Sequence, residues 1–96
     1  MSICFGCSIE KADLVGTWKA SGEYNGNFFE FTLTLKEDDS FTLVKYENDT
    51  YSKTESVNYE ISKDGVSANE KRGYMIKFTY NNGTLKTGNW IYTKAS

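Results

Sequence analysis

From Gly16 to the end of the chain, apolar and polar residues alternate with a period of two, the spacing of half-buried β-strands. Phe28–Lys36 is the clearest case: Phe29, Phe31, Leu33 and Leu35 take one face, and Glu30, Thr32, Thr34 and Lys36 the other. Thr17–Tyr24 reads as the strand before it. Asn25-Gly26 between them is a two-residue hairpin signal, because both positions must adopt positive φ. Phe41–Glu47 follows the Glu37-Asp38-Asp39-Ser40 turn, with Phe41 and Leu43 inward and Val44 and Tyr46 outward. Asn48–Lys53 reads as a mobile polar loop, and Glu55–Ser62 as a strand with Val57, Tyr59 and Ile61 inward. Lys63-Asp64-Gly65 leads into a weak strand at Val66–Glu70, broken at Arg72-Gly73. Tyr74–Tyr80 then places Tyr74, Ile76, Phe78 and Tyr80 on one face and Met75, Lys77 and Thr79 opposite. Asn81-Asn82-Gly83 turns the chain into Thr84–Lys94, expected as one strand bent near Gly88. Only Ser8–Val15 has helical character, one or two turns with Ser8 as cap and Ile9 and Leu14 facing inward.

Short strands joined in sequence by tight turns predict an all-β meander, and such a sheet curls to remove its exposed edges. The expected fold is a small antiparallel up-and-down barrel of seven to eight strands, with a short N-terminal helical turn. At 96 residues the chain is one domain, residues 8–96, preceded by a tail or signal-peptide remnant at residues 1–7.

Composition narrows the function. A net charge of −2 without a run of Lys or Arg argues against nucleic acid as partner. The absence of His removes the commonest general base and metal ligand. No Ser has a His partner, and no Gly-rich phosphate loop precedes a helix, so no catalytic residue, no metal and no cofactor is assigned. Glu37, Asp38 and Asp39 cluster in a turn, where turn geometry already favours them, and they lack calcium-loop spacing. Asn48-Asp49-Thr50 and Asn82-Gly83-Thr84 match the glycosylation pattern, but turn chemistry accounts for both. No stretch approaches the ~18 apolar residues of a membrane helix.

Both cysteines lie in Cys4-Phe5-Gly6-Cys7. A zinc site lacks further ligands, and a thioredoxin-like pair needs a helix N-terminus within a βαβ unit. Gly6-Cys7 resembles the end of a bacterial lipobox, in which the cysteine becomes the lipid anchor; Cys7 is then acylated and the protein extracytoplasmic, on the cell envelope. The other reading is a tail with two free or mutually bonded thiols.

Leu14-Val15-Gly16-Thr17-Trp18-Lys19 carries the G-x-W element that opens the first strand of the calycin superfamily, the lipocalins and fatty-acid-binding proteins. Gly16-Thr17-Trp18-Lys19 in particular is similar to the fatty-acid-binding branch, and the chain as a whole looks most like the short bacterial lipocalin-like lipoproteins. The helical pair of that branch has no room at Tyr24–Phe28, and its carboxylate-binding Arg and Tyr do not carry over. The resemblance implies structural closure at Gly16, Trp18 and Lys94, with Trp18 buried at one barrel end under a cation from the last strand, Lys94 ahead of Arg72. It also implies a binding protein rather than an enzyme.

The aromatic stripe is where core and ligand site compete. Phe29, Phe31, Tyr59, Tyr74 and Phe78 are the expected ligand-binding residues for a small apolar or amphipathic molecule, bound weakly. Yet the inward apolar residues suffice to fill most of a short barrel. The rival reading is therefore a solid barrel acting on a protein partner as an interaction module or inhibitor. Its contact surface would be Val44, Tyr46, Met75, Trp90 and Tyr92, expected on the face opposite the core.

Overall fold

The computed structural model describes residues 9–48, 50–56, 58–69 and 75–95. The Cys4–Cys7 motif, Ser8, Val57, Arg72 and Tyr74 lie outside them. Among the described residues a short helix, α1 (Lys11–Leu14), precedes nine strands: β1 (Gly16–Tyr24), β2 (Asn27–Leu35), β3 (Phe41–Glu47), β4 (Thr50–Ser56), β5 (Tyr59–Ile61), β6 (Gly65–Asn69), β7 (Met75–Asn81), β8 (Thr84–Thr87) and β9 (Trp90–Lys94). They form one antiparallel sheet in the order β4-β3-β2-β1-β9-β8-β7-β6-β5, curled into a half-barrel that stays open.

The fold is all-β, as the alternation implies, but the expected closed barrel of seven to eight strands is not what forms. Closure would need β4 to pair with β5, the two edges of the sheet. Instead Tyr59 ties the start of β5 across the end of the half-barrel: its N–H donates to Asp39 O at 3.0 Å and its hydroxyl to Lys36 O at 2.7 Å. The expected strand Glu55–Ser62 is accordingly divided between β4 and β5. Asn48–Lys53 is not a loop, because β4 starts at Thr50 and pairs with β3 from Glu47↔Thr50 to Phe41↔Ser56.

Thr84–Lys94 is likewise two strands, joined by a two-residue turn at Gly88-Asn89 with Gly88 at φ 58°. That turn resets the alternation. Thr87 pairs with Trp90 and Leu85 with Tyr92, so Trp90 and Tyr92 share the concave face with Leu85 rather than lying opposite the core. The β1–β2 and β7–β8 hairpins carry the Asn-Gly turns, with Asn25 and Gly26 at φ 52° and 80°, and Asn82 and Gly83 at 51° and 80°.

Leu14, Trp18, Leu33, Leu35, Phe41, Val66, Phe78, Leu85 and Tyr92 are almost fully buried on the concave side. α1 lies over one end of this face. It is too short to stand alone and owes its place to tertiary packing: Leu14 is buried as a plug, and its carbonyl accepts the Trp18 indole N–H at 2.9 Å. Lys94 Nζ lies 5.7 Å from the Trp18 ring and donates to Asp13 O at 3.2 Å, tying β9 to α1. Lys11 reaches from α1 to the β2–β3 turn, where it meets Asp39 Oδ1 at 2.5 Å and Glu37 O at 2.6 Å.

Candidate functional site

The inward rings of β3, β7, β9 and β2 form an aromatic chain that runs out of the core. Phe41 and Phe78 are 6.2 Å apart, Phe78 and Tyr92 5.4 Å, Tyr92 and Phe31 5.9 Å, and Phe31 stacks near-parallel on Phe29 at 6.1 Å. Trp90 leans over the last two, 4.9 Å from Phe31 and 5.6 Å from Phe29. Phe41, Phe78 and Tyr92 are buried, whereas Phe29, Phe31 and Trp90 are only half-buried. Packing thus stops partway along β2. Beyond that point the neighbouring positions on the same face are polar: Lys45 pairs with Phe31 and Ser52, and Glu47 with Phe29 and Thr50. Lys45 and Glu47 form a loose ion pair at 3.8 Å. Three rings beside an ammonium, a carboxylate and two hydroxyls make an amphipathic surface.

The expected ligand-binding residues are therefore split. Phe29 and Phe31 sit on this surface. Phe78 lies in the filled core, and Tyr59 is buried at the far end with its hydroxyl on Lys36 O. Burial raises the Tyr59 phenol above its ordinary pKa and pushes the Tyr92 phenol well up. Trp90, read from the sequence as an outward residue, is the ring that completes the group. The signal for it was the Gly88-Asn89 turn, whose two residues invert the parity of everything after it.

A second feature lies behind Trp90. The β1–β9 ladder holds Trp18↔Lys94 and Lys19↔Thr93 and then ends. Past that point the Trp90 ring lies against the backbone of Gly22, where a Cβ would stand 3.1 Å from Cζ3. On the convex side the same place is a groove of about 490 Å³ between Lys19, Ser21, Glu30, Thr32, Ile91 and Thr93, floored by Ala20 and Phe31.

Of the expected partner surface, Tyr46 and Met75 are exposed on the convex face and Val44 is half-buried there, while Trp90 and Tyr92 face inward. Exposed Phe28 and Tyr51 stand on the same face, with Tyr51 5.2 Å from Tyr46. Glu30 and Glu60 are exposed, and no group of three or more His, Cys, Asp or Glu among the described residues could hold a metal ion. No described helix is long and apolar enough to cross a membrane.

No family model, curated protein or solved structure matches the chain.

Proposed function

We propose that the chain is a non-enzymatic binding protein that holds a small apolar or amphipathic molecule against the open half of its concave face. One observation carries the reading: Phe29, Phe31 and Trp90 cluster on the inner side of the sheet and are left half-buried where the core ends. Rings on a concave surface with a few polar groups beside them are the usual make-up of a small-molecule site. The ligand's apolar part lies on the three rings and its polar end meets Lys45 or the hydroxyls of Ser52 and Thr50. Among the described residues no lid lies over the rings, little is preorganised, and affinity is about micromolar or weaker. A place on the cell envelope rests on Gly6-Cys7, and the mass of the mature chain tests it, since acylation of Cys7 adds the lipid.

Titration with an anilinonaphthalene sulfonate tests the site. Saturable enhancement is expected together with a change in Trp90 emission, and both weaken in Phe29→Ala. A probe that leaves Trp90 emission untouched, or binds Phe29→Ala equally well, rejects the site. The protein-contact reading is favoured by a different observation, the exposed Phe28, Tyr46 and Tyr51 on the convex face. Probe binding lost in Tyr46→Ser and retained in Phe29→Ala supports it instead.

A further inference from the structure

We propose that the convex groove beside β1 is a separate site for a short zwitterionic peptide of about two residues. Its volume of about 490 Å³ lies within the roughly 300–1,000 Å³ of small-molecule sites. Four lining residues form a rectangle on two paired strands, with Lys19 opposite Thr32 and Ser21 opposite Glu30. One diagonal is an ammonium and a carboxylate; the other is two hydroxyls. Among the described residues neither Lys19 nor Glu30 has an ion-pair partner, so both charges are free for a ligand.

The spacing selects the ligand. Diagonal neighbours on paired strands lie about 7–8 Å apart, and two extended residues span about 7 Å. A dipeptide laid along the charged diagonal puts its ammonium at Glu30 and its carboxylate at Lys19. Its amide lies over the other diagonal, beside the Ser21 and Thr32 hydroxyls, and the Ser21 and Ile91 backbones at the wall of the groove report its arrival. Ile91, exposed at the rim, offers a wall for one apolar side chain. A simple anion faces the Glu30 carboxylate, and a simple amine faces Lys19. A molecule with both charges and an amide between them satisfies all four corners.

The test is titration of the full chain with the dipeptide Ala-Leu, followed by amide NMR. Saturable shifts are expected at Ser21 and Ile91. The N-acetylated and C-amidated forms each bind about tenfold more weakly, since each loses one charge-assisted contact. Glu30→Gln lowers Ala-Leu affinity to that of the acetylated form and leaves naphthalene-sulfonate binding unchanged, which separates this site from the concave one. The double variant Lys19→Glu/Glu30→Lys restores binding, because the dipeptide turns end for end. Equal affinity for capped and free forms, or shifts at Ser21 and Ile91 that never saturate, overturns the proposal whatever the concave face binds.

Discussion

The two halves of the concave face use the same kinds of residue and end in opposite states. In one half Leu35, Phe41 and Phe78 are excluded from water, and Trp18 is buried beneath Lys94. In the other, Phe29, Phe31 and Trp90 touch one another as closely and stay half-buried. The strands do not account for the difference, since β2 runs through both halves with unbroken alternation. What differs is the cover. α1 lies over the first half and is held there by three attachments: the Trp18 indole on Leu14 O, Lys94 on Asp13 O, and Lys11 on the β2–β3 turn. Tyr59 ties β5 to the same turn. The second half has Lys45, Glu47, Ser52 and Thr50 as its next neighbours, and among the described residues no helix or further strand lies over its rings. Short covering elements thus decide whether an aromatic stripe becomes core or binding surface.

The largest expected effect sets one ring from each half against the other. Phe78→Ala should cost about 3–5 kcal/mol, the range for removing a buried Phe with partial collapse of the cavity. Phe29→Ala should cost less, about 1–2 kcal/mol, because the ring is only partly buried and its loss leaves no closed cavity. Urea melts of the two variants measure both. Equal costs would mean that the open half is packed as firmly as the covered one, and the binding surface would be a misreading.

Alkaline pH gives a second view of the covered half. The Tyr59 and Tyr92 phenols both have pKa values raised by burial above the ordinary 10.0. In the unfolded chain they ionise near pH 10, and in the folded one they keep their protons to higher pH. Their contribution is therefore whole below pH 10 and is lost as the pH rises above it. Melting temperature should fall above pH 10, and Tyr92→Phe should flatten that fall. A variant that falls as steeply as the parent shows that Tyr92 exchanges with solvent.

The same contrast explains which parts of the molecule can be read from its residues. β1 and β2 are legible because apolar and polar side chains alternate along most of their length, and β3 because Phe41 and Leu43 carry that pattern on from the turn. β4 is not: Thr50–Ser56 lies at the sheet edge, has little core to meet, and carries polar residues on both faces. The open side depends on Tyr59 reaching Lys36 O, a tertiary bond that leaves no mark on local pattern. Phe29 and Phe31 stand out in the sequence. Trp90 does not, since a two-residue turn reverses its face. The convex groove is invisible there, because a ladder that stops after two pairs changes no composition, and Lys19 and Glu30 look like any polar strand face.

A smaller effect tests the attachment of α1. Lys94→Ala removes an exposed cation 5.7 Å from the Trp18 ring and its bond to Asp13 O, for an expected loss of about 0.5–1 kcal/mol. Trp18 emission should shift to the red as α1 loosens. Unchanged stability and emission would show that Leu14 and Lys11 seat the helix without Lys94.

The smallest expected change is the most direct probe of the open half. Gly22→Ala places a Cβ 3.1 Å from Trp90 Cζ3, a contact tighter than ordinary packing, so one partner must move by a few tenths of an ångström. In a filled core that displacement passes from neighbour to neighbour, and overpacking costs about 1–3 kcal/mol. Here the obstacle is the edge of a half-buried indole with solvent beside it. The ring can tilt away from β1 without disturbing Leu33 or Phe78. Stability should accordingly change by less than about 0.5 kcal/mol, as expected of a substitution that leaves the core intact. Trp90 emission should shift to the red as the indole rises, while Trp18 stays blue. A cost above about 2 kcal/mol would place Trp90 in a rigid setting. The open half would then be core in all but exposure, and the concave site would have no freedom to admit a ligand.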